Sequence, residues 1–140
     1  MQLAFGAYNK RFAPNRTAFD WLSVDQGNVD RYLKDPLCGE NPTVGLFREM
    51  LSGITLNSRQ ANLKKMNLNT PVLFISGQQD PVGDCGKGVE RAAASFRRAG
   101  VRDVTVKLYP QLRHELLQEA QAPQVCEDLY QWLMSKLPEA

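Results

Sequence analysis

Two ionisable side chains stand where they could move a proton together. Asp80 follows the apolar run Val72-Leu73-Phe74-Ile75, within Gly77-Gln78-Gln79-Asp80-Pro81-Val82-Gly83. His114 follows the run 104–109, within Tyr109-Pro110-Gln111-Leu112-Arg113-His114-Glu115. Ligands of open α/β sheets gather at the carboxyl ends of the strands. If the two runs are neighbouring parallel strands, their axes lie about 5 Å apart and both loops emerge at one edge. A carboxylate there can fix the tautomer of the imidazole, orient its ring and stabilise the imidazolium formed when histidine takes a proton. His114 is the single histidine of the chain. A multi-histidine metal site is therefore impossible, and any imidazole chemistry must run through this residue. Each residue also has a plainer reading. An Asp in a Gly- and Pro-rich loop is ordinarily a turn former, and a His between Arg and Glu is ordinarily a solvated surface residue. Position alone leaves both readings open.

The elements that must hold this pair become regular from about residue 70. Val72–Ile75 is apolar on both faces, introduced by Thr70-Pro71 and closed by Ser76-Gly77, as befits an inner strand of a parallel sheet. A helix is expected from Gly86 or Lys87 to Ala99, with Val89, Ala92, Ala93 and Phe96 on one face and Gly100 as a left-handed cap. Val104-Thr105-Val106-Lys107-Leu108-Tyr109 alternates like a strand with one drier face. A last helix should begin near Pro123 and carry the stripe Val125, Leu129, Trp132, Leu133 and Leu137. Strand–helix–strand–helix is a parallel crossover unit of an α/β fold.

The first part of the chain reads differently. Phe5, Tyr8, Phe12, Phe19, Trp21, Tyr32 and Phe47 are spread among polar and turn residues. Ser23 and Gln26 have capping-box spacing, for a short helix with Val29, Tyr32 and Leu33 that stops before Pro36. A second helix is expected from Thr43 to Leu51, with Val44, Phe47, Met50 and Leu51 on one side and Gly53 ending it. The expected division is residues 1–68, a helical segment, and residues 69–140, the β-α-β-α unit.

Composition limits the partners. Seventeen basic and fifteen acidic residues leave a net charge of +2, which gives no global field for nucleic acid or an anionic membrane. The set Lys87, Arg91, Arg97, Arg98 and Arg102 reads as a solvated helix face. No apolar stretch nears the roughly 20 residues of a membrane span, and residues 1–12 lack the pattern of a signal peptide. Cys38, Cys85 and Cys126 are odd in number and widely spaced, which points to reduced thiols and a cytoplasmic location. Neither a metal nor a cofactor is expected. In Gly83-Asp84-Cys85-Gly86-Lys87-Gly88, Pro81 stands where a phosphate loop has its first glycine and Gly88 where it has Ser or Thr. His114-Glu115-Leu116-Leu117-Gln118 lacks the second histidine of a zinc-protease helix.

Several separated stretches, in order, resemble bacterial α/β-hydrolases. They are Asn15-Arg16-Thr17 with Phe19-Asp20-Trp21-Leu22-Ser23, Asp35-Pro36-Leu37-Cys38-Gly39, Ser76 through Asp84 with Gly86-Lys87-Gly88-Val89, and Arg113-His114-Glu115. The chain is similar to the lysophospholipase or monoacylglycerol-lipase-like group, the serine aminopeptidase S33 type. The resemblance implies that Asp80 is the acid and His114 the base of a Ser-His-Asp triad. It also implies that the first 65 or so residues are the end of a lid over an acyl pocket, and that the substrate is a lipid-like or small carboxylic ester.

The third member of such a triad is not recognisable. The nucleophile of the family sits in Gly-x-Ser-x-Gly, upstream of the acid. None of Ser23, Ser52, Ser58, Ser76, Ser95 and Ser135 has glycine two residues before and two after. Cys85 is a candidate replacement, since Cys–His pairs exist, but Asp84 beside it disfavours a thiolate. The strand count points the same way, because an inner strand wants a partner on each side and only one other strand is visible. The chain is accordingly expected to be the C-terminal portion of the fold, inactive alone, lacking an N-terminal half or completing its sheet as a homo-oligomer. The alternative is a non-catalytic remnant or interaction module that offers its incomplete sheet to a partner.

Overall fold

The computed structural model describes residues 7–40 and 42–137. Phe5 and the end of the expected 69–140 segment lie partly outside them. After a 3-10 turn at Tyr8–Phe12, the elements are α1 (Gln26–Lys34), α2 (Val44–Ser58), α3 (Gln60–Leu63), β1 (Val72–Gly77), α4 (Lys87–Ala99), β2 (Val104–Tyr109), a 3-10 turn at Leu116–Gln118 and α5 (Ala122–Met134).

The strand–helix–strand–helix unit forms as its pattern predicts. β1 and β2 pair in parallel, with Val72 opposite Val104 and Gly77 opposite Tyr109. The two apolar faces of β1 find different covers. Phe74 meets Phe96 of α4 edge to face at 5.1 Å, and Ala93 on the same helix is wholly buried. On the other face, Ile75 and Leu129 of α5 pack against a core of Tyr109, Leu112, Leu116 and Val125. The Trp132 indole donates to the Thr105 hydroxyl at 3.2 Å, which fixes the far end of α5. α4 ends where expected, because Gly100 takes φ +104° and donates back to Arg97 O. Among the described residues each strand has one unpaired edge.

Four local expectations are corrected. The cap of α1 is Asp25, whose carboxylate accepts from Gly27 N, and not Ser23. Ser23 is buried and its hydroxyl is taken by a carboxylate elsewhere in the chain. α2 starts at Thr43 as its cap, yet it passes through Gly53 to Ser58, since a single glycine lowers helix propensity without forbidding the helix. β1 extends two residues past its apolar run, through Ser76 to Gly77. Leu137, assigned to the stripe of the last helix, lies beyond Met134. The basic set Lys87, Arg91, Arg97, Arg98 and Arg102 is exposed.

Candidate active site

The site rests on how closely the two post-strand loops approach. Gly77 ends β1 under the loop that follows β2, and a Cβ there would lie 2.1 Å from Arg113 O and 2.3 Å from Leu112 O. No side chain fits. The absence of one lets Gln78 N donate to Tyr109 O at 2.9 Å and Gln79 N to Leu112 O at 3.0 Å. The two loops are thereby stitched together, and their side chains meet above the stitch.

Asp80 is 7% exposed. Its Oδ1 accepts from Val82 N at 2.8 Å, a local turn that fixes the carboxylate. Its Oδ2 lies 3.0 Å from His114 Nδ1. The turn-former reading and the pair reading of Asp80 are therefore both true, one for each oxygen. The imidazole of His114 remains 38% exposed. Its affinity for a proton is raised above the ordinary value, first by the hydrogen bond to Asp80, then by the charges of Asp80 and Glu115, against burial that opposes them. With Nδ1 engaged by the carboxylate, Nε2 is the nitrogen left to exchange a proton with a reactant.

The histidine also has a wall that the sequence did not announce. The Trp21 ring lies 5.2 Å from the imidazole, tilted by 47°, and Tyr8 meets Trp21 edge-on at 5.4 Å. The segment carrying Trp21 is bound to the histidine loop by three side chains. Arg113 Nη1 donates to Asp20 O and to Ser23 O, and its guanidinium lies 3.9 Å over the Phe12 ring. Glu115 accepts from Asn28 Nδ2 at 2.6 Å. Glu119, 3% exposed, accepts from the Ser23 hydroxyl at 2.6 Å and from the backbone of residues 24, 25 and 113. Asp20 closes its own turn. Burial pushes its carboxyl pKa up, but hydrogen bonds from the Thr17 hydroxyl and the backbone N–H groups of Thr17 and Arg16 outweigh this and hold it below the usual range.

Cys85, the candidate replacement nucleophile, is engaged elsewhere. Its Sγ accepts from Arg11 Nη1 at 2.5 Å, and its backbone N–H donates to Asp80 O at 2.9 Å. It supports the Asp80 turn from behind.

The profile of the family described as serine aminopeptidase, S33, matches residues 2–121. The chain belongs to this family. It is 31% identical over 124 residues to a monoacylglycerol lipase of Mycolicibacterium smegmatis, covering 84% of this chain and 40% of that protein. Among solved structures, a carboxyl esterase from Bacillus coagulans superimposes with a TM-score of 0.80 at 24% identity, over 96% of this chain and 43% of the esterase. A lipase in its open form gives the same score and identity, over 92% of this chain and 42% of the lipase. The fold is thus that of an α/β-hydrolase. The chain spans about two-fifths of the length of these relatives. No described helix is long and apolar enough to cross a membrane.

Proposed function

We propose that this chain supplies the acid and the base of a serine ester hydrolase, with Asp80 as the acid and His114 as the base. The observation that carries this reading is the 3.0 Å contact between Asp80 Oδ2 and His114 Nδ1 at the carboxyl ends of adjacent parallel strands. In the reaction, His114 Nε2 takes the proton of the attacking serine hydroxyl as the oxygen adds to the ester carbonyl. It then gives that proton to the departing alcohol, leaving an acyl-serine that water hydrolyses by the same two steps. Asp80 holds the tautomer that leaves Nε2 free and stabilises the imidazolium in between. The nucleophile comes from a Gly-x-Ser-x-Gly turn outside these residues. The substrate in this reading is a lipid-like or small carboxylic ester, and the likeness to a monoacylglycerol lipase and a carboxyl esterase supports it.

Residues 1–68 serve in this reading as lid and residues 69–140 as core. α2 supports the lid assignment, because Val44, Leu46, Leu51 and Ile54 are all more than half exposed and no residue of that helix is buried. A helix of that kind needs an apolar cover, which an acyl chain or the remaining half of the pocket would give. The same exposed helix and the edge of β1 left unpaired among the described residues favour the second reading, an interaction module without catalysis.

A fluorophosphonate probe separates the two readings. With the chain joined to an upstream segment bearing the elbow, the probe should label the elbow serine, and His114→Ala should abolish the labelling. Labelling of any of the six serines in the chain alone would move the nucleophile into this chain. Labelling of the joined protein at an unchanged rate after His114→Ala would contradict the role given to His114.

A further inference from the structure

The stretch that carries His114 has no regular secondary structure from Leu112 to Glu115, so no helix or strand ladder dictates where the imidazole sits. Its position depends on hydrogen bonds to other parts of the chain. Those bonds bracket the histidine. On one side, Arg113 N donates to Glu119 Oε1 at 3.3 Å, and on the other, Glu115 N donates to Leu22 O at 2.9 Å. The segment containing Leu22 is irregular too; Arg113 Nη1 reaches its Asp20 and Ser23 carbonyls, and Glu119 takes the donors of its Ser23–Asp25 end. Glu119 Oε2 accepts from the Ser23 hydroxyl at 2.6 Å and from Asp25 N at 3.2 Å, and Val24 N reaches both carboxylate oxygens at 3.1 Å. Within the same segment, Trp21 supplies the ring against which the imidazole lies.

Burying a carboxylate is costly unless its oxygens are hydrogen-bonded. At 3% exposure Glu119 satisfies that condition with donors that come almost entirely from two loops lacking structure of their own. An apolar residue would serve a core. This carboxylate serves a junction.

We propose that Glu119 is the positioning residue for His114, tying the histidine loop to segment 20–25 and so setting the imidazole between Asp80 and Trp21. Its catalytic meaning rests on the acid–base reading of Asp80 and His114, but the positioning itself can be read without catalysis. The groups that face the imidazole are the Asp80 and Glu115 carboxylates and the Trp21 ring, with Arg113 adjacent in the chain. Glu119 acts through none of these charges directly. It acts by placing the ring among them.

The single histidine makes the test unambiguous, since only one imidazole C2–H resonance exists. That resonance is titrated by NMR in the full chain and in Glu119→Gln, Glu119→Ala, Ser23→Ala and Asp80→Asn, with circular dichroism to show which variants are folded. Asp80→Asn should lower the midpoint most. Glu119→Ala should lower it towards that limit, and Glu119→Gln and Ser23→Ala, which keep part of the network, should fall between. The ring-current shift imposed by Trp21 should weaken most in Glu119→Ala and less in Glu119→Gln and Ser23→Ala. Folded Glu119→Gln with the parent's midpoint and ring-current shift would overturn the proposal. If the Glu119 variants fail to fold, Ser23→Ala decides, and an unchanged midpoint and shift there overturn it as well. A midpoint unmoved by Asp80→Asn would instead defeat the acid–base reading, while the ring-current shift still reports on Glu119.

Discussion

At the scale of single residues, the site is a carboxylate with its two oxygens assigned to two tasks. Oδ1 of Asp80 builds the turn and Oδ2 orients the histidine. Asp80→Asn in the completed enzyme should lower ester turnover by about 10⁴-fold, the size of the same change in a serine-protease triad, measured with a short-chain p-nitrophenyl ester. The pH dependence has a definite sign. In the proposed reaction the base is the neutral imidazole, so activity should fall as pH drops through a midpoint held above 6.5, and Asp80→Asn should move that acid limb to lower pH. Stability follows the linked rule. A histidine whose folded value is raised contributes stability that is fully present below about pH 6.5, its unfolded value, and is lost as pH rises through the folded value. The gap in melting temperature between the parent and Asp80→Asn should therefore narrow from pH 5.5 to pH 8.5.

At the scale of elements, the site depends on where β1 stops and how the next loop crosses it. Gly77→Ala should disrupt the Gln78–Tyr109 and Gln79–Leu112 backbone bonds, because its Cβ has no room beneath Leu112 and Arg113. The expected reading is a loss of the raised His114 midpoint together with a lower melting temperature. Leu112, 3% exposed in the α5 core, should cost about 2–5 kcal/mol on change to Ala, checked by urea unfolding. These elements were legible because their signals are local. Val72–Ile75, Gly100 and Pro123 each announce an element or its end within a few residues. The meeting of Asp80 and His114 was legible for a related reason, since parallel pairing brings the ends of β1 and β2 to one edge, while the role of the pair came from the resemblance. Glu119 and Trp21 were not legible. The Ser23 hydroxyl that Glu119 accepts lies 96 positions away, and a buried carboxylate between Gln118 and Ala120 carries no spacing that points there. Ser23 misled for the same reason, as its capping-box spacing was real while its hydroxyl had a better partner across the fold.

At the scale of the whole molecule, the chain spans about two-fifths of the length of its relatives, and its described residues build a three-layer α/β/α arrangement on two strands. Among the described residues each strand has one unpaired edge and several apolar side chains are exposed, Val44 at 87% and Ile54 at 57% among them. Exposed strand edges and apolar patches promote association, so sedimentation of the chain alone should show mass rising with concentration. A cooperative monomer insensitive to dilution would count against that expectation. In the proposed reaction, Asp80 and His114 are the proton-moving half of a serine ester hydrolase. This role is read in the hydrolysis of p-nitrophenyl butyrate by the chain joined to an upstream segment bearing Gly-x-Ser-x-Gly, with and without His114→Ala. The parent should turn the ester over, and the variant should lose on the order of 10⁶-fold. Equal rates for the two proteins would contradict it.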